Sequence, residues 1–356
     1  MAILSPVAFF AATAPTLAQS ARVNRDVSYD PSGDPKLNSL DIFSPANKTK
    51  CPVVVFIHGG GWQTGDKRGS AKGKSETFPQ NGYVFVSINY RLAPVVKHPV
   101  LVQDCAKAIA WVKGNIAKYG GDPDQLFVMG HSAGAHLAAL VSTDGQYLKN
   151  EGLSLAALRG TILLDGGSYD MTPTGVKKAS KDETFVGAFG KDPAVYKSAS
   201  PLYNVAAGKA IPPFLILYVS YRNDTKAQSN ALAAKLTQAG VKAEVKPAEN
   251  KTHETINKEL GNKGDIPTQQ VYAFIDTLTT GKTVAMPVAA PKTEAKSSPV
   301  TLRRSLSALS LTADQKTKAQ ELLAKYKGDR KNPELRKQFL ALLTPEQREK
   351  AKDILP

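Results

Sequence analysis

Apolar residues in this chain come in short runs bounded by turn residues. Val53 to Ile57, Leu126 to Met129, Thr161 to Leu164 and Phe214 to Val219 carry no charge inside the run. Runs of that length, rich in β-branched and aromatic residues, predict strands buried on both faces. Strands are expected to begin at Val53, Tyr83, Gln125, Thr161, Pro213 and Val241. Helical patterns fill the intervals, among them Pro99 to Gly114, Ala135 to Leu140 and Gln228 to Ala239. Strand and helix in alternation predict an α/β fold, a mainly parallel sheet with helices on both faces. Ahead of it, Val27 to Tyr29 and Leu37 to Phe43 flank Pro31-Ser32-Gly33-Asp34-Pro35 and predict an opening antiparallel hairpin.

The alternation is interrupted twice. Tyr169 to Ile211 is longer than an ordinary connection and holds Phe185, Phe189, Tyr196 and Tyr203, which fit either a small cap over the sheet edge or ordinary core. From Gly281 to Pro299 the chain is rich in Ala, Pro, Lys and Thr without apolar period, the composition of a linker. Beyond it, Leu311-Thr312-Ala313-Asp314-Gln315 and Leu343-Thr344-Pro345-Glu346-Gln347 repeat one helix-start device, a threonine N-cap with glutamine three residues later. Ala319, Leu322, Leu323 and Tyr326 then share a helical face, so 300–356 reads as a small helical appendage.

With 356 residues, 42% hydrophobic and 22% charged, the chain can bury one large core and still leave this tail. The formal net charge is +15, but the lysines are scattered and no basic-aromatic motif appears, so no nucleic-acid partner is expected. Residues 299–356 hold 13 Lys and Arg against 7 Asp and Glu, which would suit loose association with acidic polysaccharide or a cell envelope; a solvated hairpin without such a role fits as well. Ile3 to Ala18 is apolar and small-residue rich, so 1–21 reads as a signal peptide of a secreted or periplasmic protein, although a basic n-region is missing. Its length and its Pro6 and Pro15 argue against a transmembrane span. The layout is then signal peptide 1–21, main domain 22–280 with a cap at 169–211, linker 281–299, and helical extension 300–356. Cys51 precedes its strand, at the amino edge of the sheet, while Cys105 lies early in a helix starting from the carboxyl edge, so both are expected as free, buried thiols.

Candidate chemistry sits at the strand ends. Gly130-His131-Ser132-Ala133-Gly134 joins an apolar run to a small-residue helix, the context in which a serine is lifted out of the sheet on a sharp turn. His58-Gly59-Gly60-Gly61-Trp62 ends the run Val53 to Ile57, where glycines let backbone N–H groups face a developing oxyanion. Gly60, Gly61 and Ala133 are therefore the expected oxyanion-hole donors, and Trp62 and His131 the expected pocket residues. A nucleophilic serine of this kind takes an acid and then a histidine later in the chain. Asp224, just past Phe214 to Val219, and His253, after Val241 to Val245, fill that order; Asp165 and Asp170, past Thr161 to Leu164, are competing acids. His136 is expected to be packed. No pair of histidines has metal-ligand spacing and no dinucleotide fingerprint occurs, so neither metal nor cofactor is expected.

These two glycine motifs, with Ser87-Ile88-Asn89-Tyr90-Arg91-Leu92, Gly120-Gly121-Asp122-Pro123 and Ser200-Pro201, resemble the α/β-hydrolase esterases that carry HGGGW, a group that includes bacterial carboxylesterases and feruloyl-esterase-like and kynurenine-formamidase-like proteins. The resemblance covers about residues 26 to 280 and implies an α/β-hydrolase fold and hydrolysis through an acyl-enzyme. On it, the expected activity is that of a serine carboxylesterase on small or aromatic acyl esters. An arylformamidase acting on an N-formyl amide is the competitor within the class, and a binding protein on an inactive scaffold the competitor outside it. The tail is similar to the LTxxQ helical repeats of periplasmic stress proteins. One departure falls at the acid: the resemblance implies a glycine-containing turn before the aspartate, where this chain has Ser220-Tyr221-Arg222-Asn223.

Overall fold

A computed structural model describes residues 21–177, 179–284, 312–325, 333–345 and 347–348. The apolar runs form eight strands in one sheet: β1 (Arg22–Ser28), β2 (Ser39–Ser44), β3 (Cys51–Ile57), β4 (Val84–Ile88), β5 (Gly121–His131), β6 (Gly160–Leu164), β7 (Phe214–Val219) and β8 (Ala243–Ala248). Their order is β1-β2-β4-β3-β5-β6-β7-β8. The β1–β2 and β2–β4 pairs are antiparallel, and every other neighbour is parallel. The expected hairpin and parallel sheet are both present. β1 starts earlier than its apolar residues suggested, because it is an edge strand with exposed polar positions and a register shift between Asn24 and Val27.

Period-two alternation sends each strand's side chains to two separate cores. Val53, Val55 and Ile57 of β3, with Val84 and Val86 of β4, pack on one face under α2 (Val100–Asn115), α3 (Ala133–Thr143) and α8 (Asn223–Gln238). Val54, Phe56, Phe85 and Phe127 pack on the other with Phe78 of α1 (Lys74–Gln80), Ile256 of α9 (Thr255–Lys258) and Phe274 of α10 (Ile266–Thr280). With both faces covered, a parallel ladder has no wet side, which is why these runs are apolar throughout rather than alternating. Cys51 and Cys105 are free and buried.

The long interval after β6 folds into α5 (Glu183–Phe189), α6 (Pro193–Ser198) and α7 (Pro201–Asn204), following α4 (Gly145–Asn150) in the chain. Asp182 and Asp192 cap α5 and α6 by accepting the N–H groups of Thr184 and Ala194. Phe189 and Tyr196 are buried, whereas Tyr203 is exposed.

The chain divides into two compact units, Met1–Ala289 and Ala290–Pro356. In the second, helices Ala313–Lys325 and Pro333–Ala341 bury Ala319, Leu335, Phe339 and Leu343. Both capping boxes are closed. Thr312 N–H donates to Gln315 Oε1 at 3.0 Å and Gln315 N–H to Thr312 Oγ1 at 3.2 Å; Thr344 and Gln347 do the same at 2.9 and 3.2 Å. The two glutamines also bond each other, Gln315 Nε2 to Gln347 Oε1 at 2.9 Å and Gln347 Nε2 to Gln315 Oε1 at 3.2 Å. The repeated motif thus links its own two copies, alongside the buried apolar residues of the two helices. The segment read as a signal peptide, apart from residue 21, most of the linker, Tyr326 and the side chain of Leu323 lie outside the described residues. No helix among the described residues is long and apolar enough to cross a membrane.

Candidate active site

Ser132 stands alone between β5 and α3 with φ 56° and ψ −121°, a left-handed conformation uncommon for a non-glycine residue. The flanking glycines make it possible. A Cβ on Gly130 would lie 2.1 Å from the carbonyl oxygen of Gly134, and one on Gly134 would lie 2.1 Å from that of Ile57. Neither position can hold a side chain without moving backbone. Ser132 N–H donates to Leu164 O at 3.0 Å, tying the turn to the end of the neighbouring strand β6.

His253 arrives from the loop between β8 and α9. Its Nε2 lies 2.9 Å from Ser132 Oγ, and its Nδ1 lies 2.7 Å from Asp165 Oδ2. Asp165 directly follows β6, has φ 48° and is 1% exposed. Its Oδ1 accepts the Val219 N–H at 3.0 Å, so the carboxylate is clamped between β6 and β7. Burial alone would raise its carboxyl group. The His253 hydrogen bond, the Arg222 charge and the Val219 N–H outweigh burial and hold it down at about 2. An ionised Asp165 requires the proton of neutral His253 to sit on Nδ1, which leaves Nε2 free to accept from the Ser132 hydroxyl.

The expectation that Asp224 meets His253 is corrected by this geometry. Only Ser220, Tyr221 and Arg222 separate β7 from α8, so Asp224 falls in the first turn of the helix with its side chain 66% exposed. A carboxylate there is favoured by the helix N-terminus. Asp224 bonds Arg222 NH2 at 2.8 Å, while Arg222 NH1 reaches Asp165 Oδ2 at 2.7 Å and lies 2.8 Å from His253 Nδ1. The competing residue Asp165 therefore occupies the position expected of Asp224. Asp170, the other competitor, accepts Thr172 N–H at 2.9 Å in a local turn away from the histidine.

The glycine loop is built for close approach. A Cβ on Gly59 would come within 3.0 Å of Ser132 Cβ and 2.8 Å of His131 O, so the loop rests on the serine turn. Gly60 and Gly61 have φ of 116° and 58°. The Gly60 carbonyl accepts the N–H groups of Gln63 and Thr64, while neither Gly60 nor Gly61 N–H donates to a backbone carbonyl among the described residues. Ala133, at the start of α3, adds an N–H at a helix N-terminus beside Ser132.

Trp62 and His131 do not offer the pocket surface expected of them. Trp62 is 3% exposed, with its ring edge-on to Phe185 and Phe189, and its Nε1–H donates to His136 Nδ1 at 3.2 Å. His136 Nε2–H in turn donates to Ala199 O at 2.8 Å, so Trp62 and His136 post the α5–α6 segment onto α3. Burial holds His136 neutral, down at about 4. His131 turns its ring under His253, centroids 4.6 Å apart, and its Nε2–H donates to the His253 carbonyl at 2.7 Å. It positions the loop that carries the other histidine. Burial, with the neighbouring His253, pushes it down to about 3. No group of three or more His, Cys, Asp or Glu among the described residues is placed to hold a metal ion.

A serine raised at the end of a parallel strand, a histidine and a buried aspartate at the same sheet edge, and backbone donors at two glycine turns define the α/β-hydrolase class. Within it, residues 40–236 match the BD-FAE family model, and the chain belongs to that family. It is 35% identical over 226 residues to Esterase LipQ of Mycobacterium tuberculosis, covering 60% of this chain and 53% of that protein. It is 32% identical over 251 residues to a probable isoprenylcysteine alpha-carbonyl methylesterase, ICMEL1, of Oryza sativa subsp. japonica, covering 66% and 57%. The chain spans about half the length of these relatives. Among solved structures, esterase B of Lactobacillus rhamnosis superposes with a TM-score of 0.61 at 23% identity, covering 74% of this chain and 88% of that one. Est2 of Thermogutta terrifontis, described as a thermophilic esterase, superposes at 0.57 with 25% identity, covering 79% and 97%.

Proposed function

We propose that the protein is a serine carboxylesterase acting through an acyl-enzyme on small or aromatic acyl esters. The observation that carries this reading is the hydrogen-bonded line Ser132–His253–Asp165 at 2.9 and 2.7 Å. His253 Nε2 takes the Ser132 proton as Oγ attacks the ester carbonyl, and Asp165 stabilises the imidazolium that forms. The oxyanion accepts the N–H groups of Gly60, Gly61 and Ala133, each worth about 3 kcal/mol in the transition state. His253 returns the proton to the leaving alkoxide; water then enters by the same path and releases the carboxylic acid. Relatives named as esterases, LipQ among them, support the substrate class.

The proposal extends to export through the apolar segment from Ile3 to Ala18 and to envelope association through the basic tail, both resting on sequence composition. Fractionation of expressing cells tests these two points: a protein retained wholly in the cytosol rejects them. The activity is tested with a panel of p-nitrophenyl esters, feruloyl esters and N-formylkynurenine, with fluorophosphonate labelling in parallel. Turnover of esters and label on Ser132 are expected; turnover of the formamide alone makes the protein an arylformamidase, and neither turnover nor label rejects catalysis.

A further inference from the structure

Arg222 lies in the three-residue link between β7 and α8, where its guanidinium touches three members of one ionic array. NH1 meets Asp165 Oδ2 at 2.7 Å and His253 Nδ1 at 2.8 Å, and NH2 meets Asp224 Oδ2 at 2.8 Å. A guanidinium stays charged and can only donate. If NH1 donated to Nδ1, the ring proton would sit on Nε2, facing Ser132, and the imidazole could not accept from the hydroxyl. If NH1 instead donates to Asp165, two donors converge on Oδ2 and the ring keeps the Nδ1–H form. Which of the two holds depends on where the guanidinium is pulled. Asp224, on the far side, pulls it away from the ring.

We propose that Arg222, tethered by Asp224, is a positioning residue that aims the Asp165 carboxylate at His253, thereby selecting the imidazole tautomer that can accept the Ser132 proton. This rests on the Ser132–His253–Asp165 reading. A lysine could keep the charge near Asp165, but a single ammonium lacks the planar fork that bridges two carboxylates. The titratable groups around Asp165 besides Arg222 are His253, His131 and Tyr169. Of these, Tyr169 is held neutral by burial.

The test compares kcat, KM and the pH profile of kcat/KM for the wild type, Arg222→Met and Arg222→Lys on a soluble p-nitrophenyl ester. Arg222→Met is expected to lose up to about 100-fold in kcat, the scale of a small misplacement of a reacting group. KM should stay within about twofold, because no substrate contact is removed. The acid limb should move to higher pH, since removing the guanidinium that lies against both Asp165 Oδ2 and His253 Nδ1 makes the hydrogen-bonded pair easier to protonate. Arg222→Lys should restore the limb but not kcat. Wild-type kcat and an unmoved limb in folded Arg222→Met overturn the proposal. If Arg222→Met does not fold, Arg222→Lys decides: wild-type kcat overturns, and a loss of about tenfold with the limb in place supports. Fluorophosphonate labelling of wild-type Ser132 separates the two layers: no label removes the catalytic reading itself, whereas a labelled wild type with unaltered variants removes only Arg222.

Discussion

His253 Nδ1 and Asp165 Oδ2 meet at 2.7 Å although 88 residues separate them in the chain. The contact forms because β6 and β7 are parallel neighbours that end at the same edge, and β8 beside β7 delivers the histidine loop there. Asp165 needs no loop of its own to reach inward: it leaves the strand in a left-handed conformation with its carboxylate already fixed on Val219. Asp224, one strand further along, is turned outward by the helix that begins beneath it.

The serine turn tolerates no side chain at its glycines. Gly134→Ala would place a methyl group 2.1 Å from the Ile57 carbonyl oxygen, and overpacking of this kind costs at least about 2 kcal/mol. Gly114→Ala, near the end of α2 with nothing within 4 Å, should instead stabilise by about 0.5 to 1 kcal/mol. Urea unfolding of the two variants checks the contrast, and equal midpoints would contradict the packing described for Gly134.

Histidines that burial keeps neutral, buried His131 and His136 and half-buried His98 among them, contribute to the acid response of the fold. Burial lowers His131 to about 3, His136 to about 4 and His98 to about 4, whereas each titrates near 6.5 when unfolded. Since the unfolded chain binds these protons first, their stability is fully present above about 6.5 and is lost as the pH falls toward 4. Each adds up to about 1.4 kcal/mol per pH unit in that window. Tm measured from pH 8 to pH 4 should be flat above 7 and fall steeply below 6.5. An unchanged Tm down to pH 4.5 would contradict the burial of these rings.

Lys74 is a buried cation without an ion pair among the described residues. Its Nζ donates to Asn257 O at 2.8 Å and faces the Phe56 ring at 5.1 Å, and burial pushes it down to about 7. With the folded value below the unfolded one, stability rises as the pH goes from about 7 toward 10.5. Lys74→Met removes the desolvated charge and leaves the Asn257 carbonyl its bond from Leu260 N–H at 3.3 Å. Tm at pH 7 should be unchanged or higher; a drop of more than about 4 °C, near 1 kcal/mol or above, would show that the ammonium holds the fold together.

In the second unit, Gln315 and Gln347 each close a capping box and bond the other. Gln315→Ala should therefore lower helix content at Thr312 and at Thr344 alike, by about 1 kcal/mol per cap disturbed. Backbone chemical shifts read this directly. A change confined to the first motif would contradict the cross-bond.

The strands were legible because a doubly covered parallel sheet demands unbroken apolar runs, and Val53 to Ile57 or Phe214 to Val219 fit little else. Ser132 and His253 were legible as residue types at the required chain order. The acid was not: Asp165 and Asp224 both follow strands, and the choice between them turns on the length of the β7–α8 link and on where Arg222 points. Trp62 and His131 sit beside motif residues, so sequence placed them in the pocket. Their burial depends on Phe189, His136 and the His253 backbone, contacts made far along the chain. The signal that could have favoured Asp165 was the sheet itself, since its strand neighbours that of Ser132.

The most direct test is kcat of Asp165→Asn against Asp224→Asn on the best p-nitrophenyl ester. An asparagine at the orienting acid favours the wrong imidazole tautomer and costs on the order of 10⁴ in kcat. Asp165→Asn should show that loss, while Asp224→Asn, which only loosens Arg222, should stay within about tenfold of wild type. Equal losses, or the larger loss at Asp224, would contradict the assignment of Asp165 as the partner of His253.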